Sequence, residues 1–440
     1  MKKALRIVLA LALVLGLCAC DGDQTTVQSD ADAEGTDSVS EESFTIRMLN
    51  DGAGVWEPVM DQIVARWNEL HPEAQLIMEY NAYGTTYEVI EMNLGMGSTD
   101  YDIIAVDTPK IAEYSEKGYI IPLDEYFSEE EVDQLQKPCI DASMYRDSLM
   151  VMPMDTGISV LYYNKTLLDQ AGVEVPETSP DDRITFEEIQ SLALQALEVL
   201  DPDGSNGICG FTWGQVNKVY AMLQLPNSFG GIQIGEDTRT LEGVVDSDEW
   251  KKAYSFYQGL YDSGAATYGI TADDANSLFK SGKVLFMLNS YSRWKDYKAS
   301  EDYEFVMCYN PVFEGYEQYA SAPTGSWNVG VSAFSKHPEA AAEFIKFFTL
   351  GEGHDMWVKL QGSFSAVQAD VDAVMADPST DYGTKIAFSE AASIAKPRPK
   401  IETFSAYESV INTLWSDLAA GGDMDTCIDN AINAYKSMIG

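Results

Sequence analysis

The segment that follows the N-terminal region alternates strand-like and helical patterns, and this alternation limits the folds open to the chain. Residues 44–48 and 74–80 have β-type sequence, and apolar residues recur at helical spacing across 57–70 between them. A second helical stretch at 87–94 leads into the apolar run 101–106. The β-α-β-α-β order predicts a parallel sheet with right-handed crossovers, in which ligands bind beyond the carboxyl ends of the strands.

The rest of the chain is long enough to form a second lobe. In a sequence of 440 residues that is 45% apolar, more than one hydrophobic core is expected. Further strands are predicted at 158–163, 283–288 and 303–309, and the Pro-Met-Asp-Thr-Gly stretch at 153–157 predicts a crossing between lobes. Beyond the N-terminal region, no uninterrupted apolar run reaches the roughly 18 residues of a membrane helix.

The N-terminus has the pattern of a secretory signal. Lysine and arginine residues precede a short apolar run at 7–17, which is too short for a permanent membrane span. Residues 17–20, Leu-Cys-Ala-Cys, resemble the bacterial lipobox, which implies a signal peptide of residues 1–19 and a lipid on Cys20. An ordinary cleaved signal with two incidental cysteines is the alternative.

Residues 20–43 predict a disordered acidic linker. Beyond Cys20 they are rich in acidic residues, serine and glycine and contain no basic or aromatic residue. Such a composition cannot bury enough apolar surface to offset the entropy of ordering. We therefore expect an extracytoplasmic protein that is tethered to the cell membrane through Cys20 by a solvated spacer.

The charge balance excludes whole classes of partner. The chain has 70 acidic against 28 basic residues and a formal net charge of −42, which would repel both nucleic acid and anionic lipid surfaces. A solvated acidic surface is the preferred interpretation, with an acidic site for cations as the alternative.

The cysteine pattern indicates neither a zinc site nor a redox site, and no cofactor is expected. The four cysteines after the signal lie far apart, without a C-x-x-C pair or a histidine at ligand spacing. One or two disulfides between them are still possible in an exported chain. The four cysteines are Cys139, Cys209, Cys308 and Cys427. Residues 201–207 resemble a calcium loop, but the glycine is displaced and Thr212 stands where a glutamate is needed, so a turn is predicted.

Short motifs spread over nearly the whole chain carry a family resemblance. They are Tyr-Asp-Ile-Ile at 101–104, Gly-Tyr-Ile-Ile-Pro-Leu at 118–123, Leu-Tyr-Tyr-Asn-Lys at 161–165, Phe-Lys-Ser-Gly-Lys-Val at 279–284, Val-Gly-Val at 329–331 with the helix at 340–344, and Arg-Pro at 398–399. In this order and spacing the chain resembles the extracellular solute-binding proteins of ABC importers, in the sugar-binding group that includes maltose-binding protein.

The resemblance implies an α/β, two-lobed periplasmic-binding-protein-like fold of type II, with a ligand cleft between lobes that close about a hinge. Lobe 1 is expected at 44–154 plus about 312–362, and lobe 2 at 155–311 plus about 363–440. Chain crossings are expected near 108–109 or 154–155, near 311–312 and near 362–364. The implied partners are membrane permease subunits and a cytoplasmic ATPase, with the receptor itself a monomer.

Candidate ligand-binding residues are aromatic platforms and hydrogen-bonding groups on loops, since a sugar offers both C–H faces and hydroxyls. They are Asn50, Asp51, Trp56 and Asp107 in the first lobe, Asp155, Trp213, Asn289, Tyr291 and Trp294 in the second, and Trp327 and Arg398 later in the chain. Trp294 is the leading candidate, with core packing as its alternative. The alternatives for the others are a staple for Trp56, a helix cap for Asp51 and a structural ion pair for Arg398.

The sequence thus predicts a receptor that captures a carbohydrate, in particular an oligosaccharide, for an importer. A receptor for a polyamine or another cationic solute is the main alternative, and a carboxylate-based glycosidase is a remote one. An enzyme is not expected, because the three histidines lie near helix ends and no nucleophile motif is present.

Overall fold

The computed structural model describes residues 43–440 apart from Val55 and Tyr83. The predicted signal peptide 1–19, the lipidation site Cys20 and nearly all of the linker 20–43 lie outside the described residues. None of the helices in the described part is long and apolar enough to cross a membrane.

Thirteen strands are defined within the described residues. They are β1 (Phe44–Asn50), β2 (Ala74–Tyr80), β3 (Ile103–Asp107), β4 (Met144–Tyr145), β5 (Ser148–Leu149), β6 (Met152–Pro153), β7 (Ser159–Asn164), β8 (Cys209–Trp213), β9 (Val284–Ser290), β10 (Phe305–Cys308), β11 (Ala322–Thr324), β12 (Trp327–Val331) and β13 (Ala395–Pro397).

The helices of the described part range from single turns to sixteen residues. The first nine are α1 (Glu57–Leu70), α2 (Thr85–Gly95), α3 (Lys110–Glu116), α4 (Glu129–Val132), α5 (Lys137–Ser143), α6 (Lys165–Ala171), α7 (Phe186–Leu200), α8 (Val219–Met222) and α9 (Gln224–Asn227). The remaining ones are α10 (Asp248–Asp262), α11 (Ala272–Lys280), α12 (Trp294–Lys298), α13 (Pro338–Leu350), α14 (Glu352–Gln361), α15 (Gln368–Ala376), α16 (Tyr382–Ser393), α17 (Phe404–Ala419) and α18 (Met424–Ile439). Tyr291–Arg293 and Glu317–Tyr319 form 3-10 turns.

The first sheet has the strand order β2-β1-β3-β12-β6, and we call the part of the chain built on it the first lobe. Strand β1 runs parallel to both β2 and β3, which confirms the predicted β-α-β-α-β unit. Helix α1 packs against this unit through one buried face, which carries the apolar residues Met60, Ile63 and Trp67. Strand β12 arrives from much later in the chain and lies antiparallel between β3 and β6.

The second sheet has the order β10-β7-β9-β8 and forms the centre of the second lobe. Strand β9 is parallel to β8 and antiparallel to β7. Residues 284–289 of β9 are all buried, as expected for a continuous apolar strand covered on both faces. Helices α7, α10 and α17 contribute Phe186, Trp250 and Trp415 to the core of this lobe.

The chain passes between the two sheets more than once. It leaves β6 of the first sheet for β7 of the second and returns from β10 to β12. It passes again after α14, since Trp357 lies in a first-lobe core cluster and Ile386 in a second-lobe one. The exact lobe boundaries, 44–154 with about 312–362 and 155–311 with about 363–440, stay a prediction.

The cysteines and the calcium-like loop have structural roles. The four cysteines are buried and free, so the disulfides that the sequence allowed are not formed among them; they are Cys139, Cys209, Cys308 and Cys427. The Asp201 carboxylate accepts hydrogen bonds from the backbone N–H groups of Asn206 and Ile208, both at 2.8 Å, so it closes a turn. Within the described residues, no group of three or more His, Cys, Asp or Glu side chains is placed to hold a metal ion.

Candidate functional site

Four aromatic side chains meet near the carboxyl edge of the first sheet, and we call them the aromatic group: Trp56, Tyr87, Trp327 and Trp357. The Trp56 ring stands edge-on to Trp327 at 5.9 Å and to Trp357 at 5.7 Å between centroids. Tyr87 lies nearly parallel to Trp327, with an interplanar angle of 19°. The rings therefore contact one another mainly through edges, a common arrangement for aromatic pairs.

The loop after β1 depends on a glycine to bring Trp56 into place. Gly52 has a φ of 81°, and a Cβ atom there would lie 2.6 Å from the Trp56 ring. Only glycine combines that backbone conformation with so close an approach. Trp56 is also the residue that caps α1, so its predicted role as a staple is compatible with a position in the aromatic group.

Asp107 and Arg398 form a buried ion pair beside the aromatic group. Asp107 ends β3 directly opposite Trp327 in the sheet register. The two guanidinium nitrogens of Arg398 donate to its two carboxylate oxygens at 2.7 and 2.6 Å, and the Tyr87 hydroxyl donates to Oδ2 at 2.9 Å. The guanidinium also lies 5.2 Å above the Tyr220 ring. The ion pair predicted as an alternative for Arg398 is present, and it is bidentate.

The neighbouring residues Asn50 and Asp51 are buried polar groups. The Thr86 hydroxyl donates to Asp51 at 3.0 Å, and burial raises the pKa of Asp51 to about 6. Asp51 does not cap α1, because that helix begins after Trp56, so the capping alternative is wrong. The Asn50 side-chain amide has no hydrogen-bond partner among the described residues, so it can accept and donate within this edge of the sheet.

Asp155 adjoins the aromatic group from the crossing between β6 and β7. The indole N–H of Trp357 donates to its Oδ2 at 3.1 Å. Burial raises the pKa of Asp155 to about 6, which keeps much of this carboxyl protonated in mildly acidic solution. The structure therefore brings Asp155 together with Trp56 through their common neighbour Trp357.

The loop after β9 packs against α16. Tyr291 stacks on Phe364 at 4.2 Å, and the indole N–H of Trp294 donates to Asp381 at 2.8 Å. Asn289 is buried and donates to the Tyr297 hydroxyl at 2.9 Å. Trp294 is partly buried and packs against α16, and its role as a ligand contact stays a prediction.

Trp213 is a core residue, and this corrects its prediction as a ligand contact. Its side chain is 1% exposed and packs against Phe211 at 4.6 Å and Tyr257 at 5.6 Å. The reason is that every residue of β8 is buried, so a residue at the end of this strand has no solvent-facing side.

Sequence reasoning missed Tyr87, Tyr220 and Trp357. Tyr87 could have been found, since the first turn of a helix that follows a parallel strand lies at the carboxyl edge of the sheet. Tyr220 and Trp357 reach the site only through the packing of α8 and α14, for which the sequence carries no local signal.

The assembled site offers aromatic rings, a carboxylate-guanidinium pair and two carboxyls of raised pKa. Rings and paired hydrogen-bonding groups suit a ligand that has weakly apolar faces and polar edges. Arg398 neutralises Asp107, and burial raises the pKa values of Asp51 and Asp155 to about 6, so the charged forms of these two carboxyls are less favourable than those of exposed ones.

One family model and several curated relatives match more than half of this chain. The family model described as "Bacterial extracellular solute-binding protein" matches residues 49–353. The mannitol-binding protein of Pseudomonas aeruginosa is 22% identical over 70% of this chain and 69% of its own length. Matches to other curated relatives cover from 54% to 76% of their length.

Solved structures with the same fold cover nearly the whole chain. The GacH receptor of Streptomyces glaucescens, determined without ligand and with acarbose, has a TM-score of 0.76 at 21% identity, covering 90% of this chain and 98% of its own. Lmo0181 from Listeria monocytogenes, an ABC substrate-binding protein in complex with cycloalternan, has a TM-score of 0.77 at 17% identity, covering 91% and 100%. These likenesses confirm the predicted two-lobed α/β fold.

Proposed function

Because the chain belongs to the family of bacterial extracellular solute-binding proteins, we propose that it captures a carbohydrate and delivers it to an ABC importer. The observation that carries this proposal is the aromatic group beside the Asp107–Arg398 pair at the carboxyl edge of the first sheet. Family membership makes the chain a binding protein and not an enzyme.

The chemistry of the site favours a carbohydrate over a cationic solute. Sugar rings stack on indole and phenol rings through their C–H faces, while a bidentate pair can exchange hydrogen bonds with vicinal hydroxyls. A polyamine would need carboxylates that carry their charge without a counter-charge. Asp107 is paired with Arg398, and burial disfavours the charged forms of Asp51 and Asp155, whose pKa values it raises to about 6. A relative named for mannitol, and solved structures of similar fold in complex with acarbose and with cycloalternan, support a polyol or an oligosaccharide as the ligand class.

A thermal-shift screen of the purified protein against mono- and oligosaccharides, polyamines and amino acids tests the ligand class. A ligand at 100 times its Kd stabilises the folded state by about 2.7 kcal/mol, which is readily detected. We expect a saccharide to raise Tm. A response to polyamines alone, with saccharides silent, would contradict the carbohydrate proposal.

Trp327→Ala is expected to weaken binding of the saccharide found in this screen by tenfold or more. The substitution removes a ring of the aromatic group but leaves the β12 backbone pairing available. Isothermal titration should show the loss, and the circular dichroism spectrum should stay unchanged. Trp294→Ala is the matched comparison: a smaller loss agrees with packing against α16, whereas a larger loss would support the sequence-based prediction of Trp294 as a ligand contact.

We also propose that the mature protein is a monomer tethered to the membrane through a lipid on Cys20, and that permease subunits and an ATPase complete the importer. The lipobox resemblance at residues 17–20 supports the anchor. Cys20→Ala should move the protein from the membrane pellet to the supernatant after fractionation of the producing cells. Cys18→Ala is the control and should stay in the pellet, and pelleting of both variants would refute the assignment to Cys20.

A further inference from the structure

Strand β2 forms one border of the first sheet. Within the described residues it pairs with β1 alone, so its other side is the edge of the sheet. Its seven residues, Ala-Gln-Leu-Ile-Met-Glu-Tyr, include one charged side chain and no proline. The side chain of Ile77 on this strand is 47% exposed. A long and largely apolar strand at the edge of a sheet is a template for pairing with a strand of another molecule.

The opposite border of the same sheet is protected by its own strand. Strand β6 has only two residues, and the second of them, Pro153, has no backbone N–H to offer a further strand. Strand β2 is longer and has neither a proline nor a lysine. Protection of its edge therefore has to come from another element of the fold.

Helix α1 supplies this protection through Asn68 in its last turn. The Leu76 backbone N–H donates to Oδ1 of Asn68 at 2.7 Å, and Nδ2 of Asn68 donates to the Leu76 carbonyl oxygen at 3.1 Å. The side-chain amide thus takes the place that a peptide group of a neighbouring strand would have. The Gln75 side chain donates to the carbonyl oxygens of Asn68 and His71 at 3.0 and 2.9 Å, which fixes the end of the helix beside the strand.

The backbone of Ala74 is occupied by the same end of α1. Its N–H donates to the His71 carbonyl oxygen at 3.1 Å, and its carbonyl oxygen accepts from the Trp67 indole N–H at 2.8 Å. Trp67 is 1% exposed and packs edge-on against Phe344 at 5.3 Å, so its indole is held in this position. Backbone groups of alternate residues point to the same edge of a strand. The outward-facing positions of β2 are therefore Ala74, Leu76, Met78 and Tyr80.

This edge is complementary to the same edge of a second copy of the chain. Two antiparallel β2 strands match when Ile77 of one copy lies opposite Ile77 of the other, around a twofold axis. The two exposed isoleucines then cover each other, and the one charged residue of each strand, Glu79, faces Gln75, so that like charges do not meet. The residue pairs that would exchange backbone hydrogen bonds are Ala74 with Tyr80 and Leu76 with Met78, each occurring twice. Every such pair contains a residue that α1 already occupies.

We propose that the Asn68 side chain blocks pairing of this chain with a second copy along β2, and that its loss exposes an interface between copies. The Asn68 amide and the strand of a second copy compete for the same N–H and carbonyl oxygen of Leu76, so they cannot bind together. Such a block matters most where receptors are concentrated, as on a membrane surface. The inference rests on the contacts between α1 and β2, and it is independent of the proposed ligand and anchor.

Disulfide capture at position 77 tests this proposal in the full-length protein. Cys18→Ala and Cys20→Ala remove the cysteines outside the described residues, and those within them are buried, so Ile77→Cys supplies the exposed thiol. In the matched register the two Cβ atoms at position 77 would lie about 4.5 Å apart, close to their separation in a disulfide. With Asn68→Ala added, mild oxidation should give a linked dimer about tenfold faster than with Asn68 present, because two backbone hydrogen-bonding groups on each copy become available.

Two controls separate this effect from general loosening of the lobe. Gln62→Ala changes an α1 side chain that donates to Pro58 within the helix, and linkage at position 77 should keep the parent rate. Met92→Cys, exposed on α2, replaces Ile77→Cys in the Asn68→Ala background and should show no acceleration. Rates are read on non-reducing gels, and circular dichroism checks the fold of each variant.

A milder substitution keeps the test decisive if Asn68→Ala does not fold. Asn68→Ser retains a small polar side chain but lacks the amide that bonds both groups of Leu76, so it should also accelerate linkage at position 77. The proposal is overturned if the folded Asn68 variants link no faster than Gln62→Ala. Equal acceleration at positions 77 and 92 would overturn it as well, because the contact would then not follow the β2 register.

Discussion

At the scale of single residues, the site combines carboxyls in different surroundings. Asp107 is paired with Arg398, whereas burial raises the pKa values of Asp51 and Asp155 to about 6. A raised carboxyl pKa means that the folded state binds the proton more tightly than the unfolded state. The associated stability is present in full below the unfolded pKa near 3.8 and is lost as the pH rises through about 6.

Asp51→Asn should therefore stabilise the protein at neutral pH. The charged carboxylate costs up to about 3 kcal/mol there, from a shift of about two pKa units at 1.36 kcal/mol each, and an amide can still accept the Thr86 hydrogen bond. Urea unfolding at pH 7.5 and pH 4 should show a gain that disappears at the lower pH. The exposed Asp133→Asn serves as control, and an equal loss of stability at both pH values in Asp51→Asn would contradict this explanation.

At the scale of elements, local patterns were sufficient for the first β-α-β-α-β unit but not for pairings between distant segments. The strands at β1 and β3 and helix α1 follow from alternation and helical spacing, which neighbouring residues determine. The position of β12 between β3 and β6 depends on pairings such as Trp327 with Asp107 and Asn328 with Pro153, which lie 220 and 175 residues apart in the chain and which no local sequence period encodes. The parallel pair of β11 with β13 was missed for the same reason.

A buried ion pair joins two such distant elements. Arg183, just before α7, donates to both carboxylate oxygens of Glu390 on α16 at 2.9 and 2.8 Å, and Asn310 donates to the same carboxylate. Glu390→Gln should cost about 3–5 kcal/mol in urea unfolding, because it leaves the arginine charge buried without a counter-charge. Glu352→Gln, which breaks the exposed Arg66 pair, should cost less than about 1 kcal/mol. Similar costs for the two variants would show that burial of the pair is unimportant.

At the scale of the whole molecule, topology predicted the first-lobe half of the site better than the second-lobe half. Asp51 and Trp56 follow β1 and Asp107 ends β3, and the carboxyl ends of these two parallel strands meet at one edge of the sheet. Trp213 and Trp294 follow strands of a mixed sheet that is covered on both faces, and their surroundings depend on how α16 and the core pack. In the sequence, Trp56 and Trp213 look alike, because each lies at or after the end of a strand. Only the tertiary structure shows that the Trp56 ring lies at the edge of a sheet and the Trp213 ring in a core.

The late arrival of β12 also bears on the order in which the molecule can fold during synthesis. Strands β3 and β6 are synthesised before β12, and each has an edge that residues 327–331 cover in the folded protein. An unpaired strand edge invites association with other chains. The first lobe can therefore complete its sheet only after roughly three quarters of the chain has been made, and until then the edges of β3 and β6 lack the strand that separates them in the folded protein.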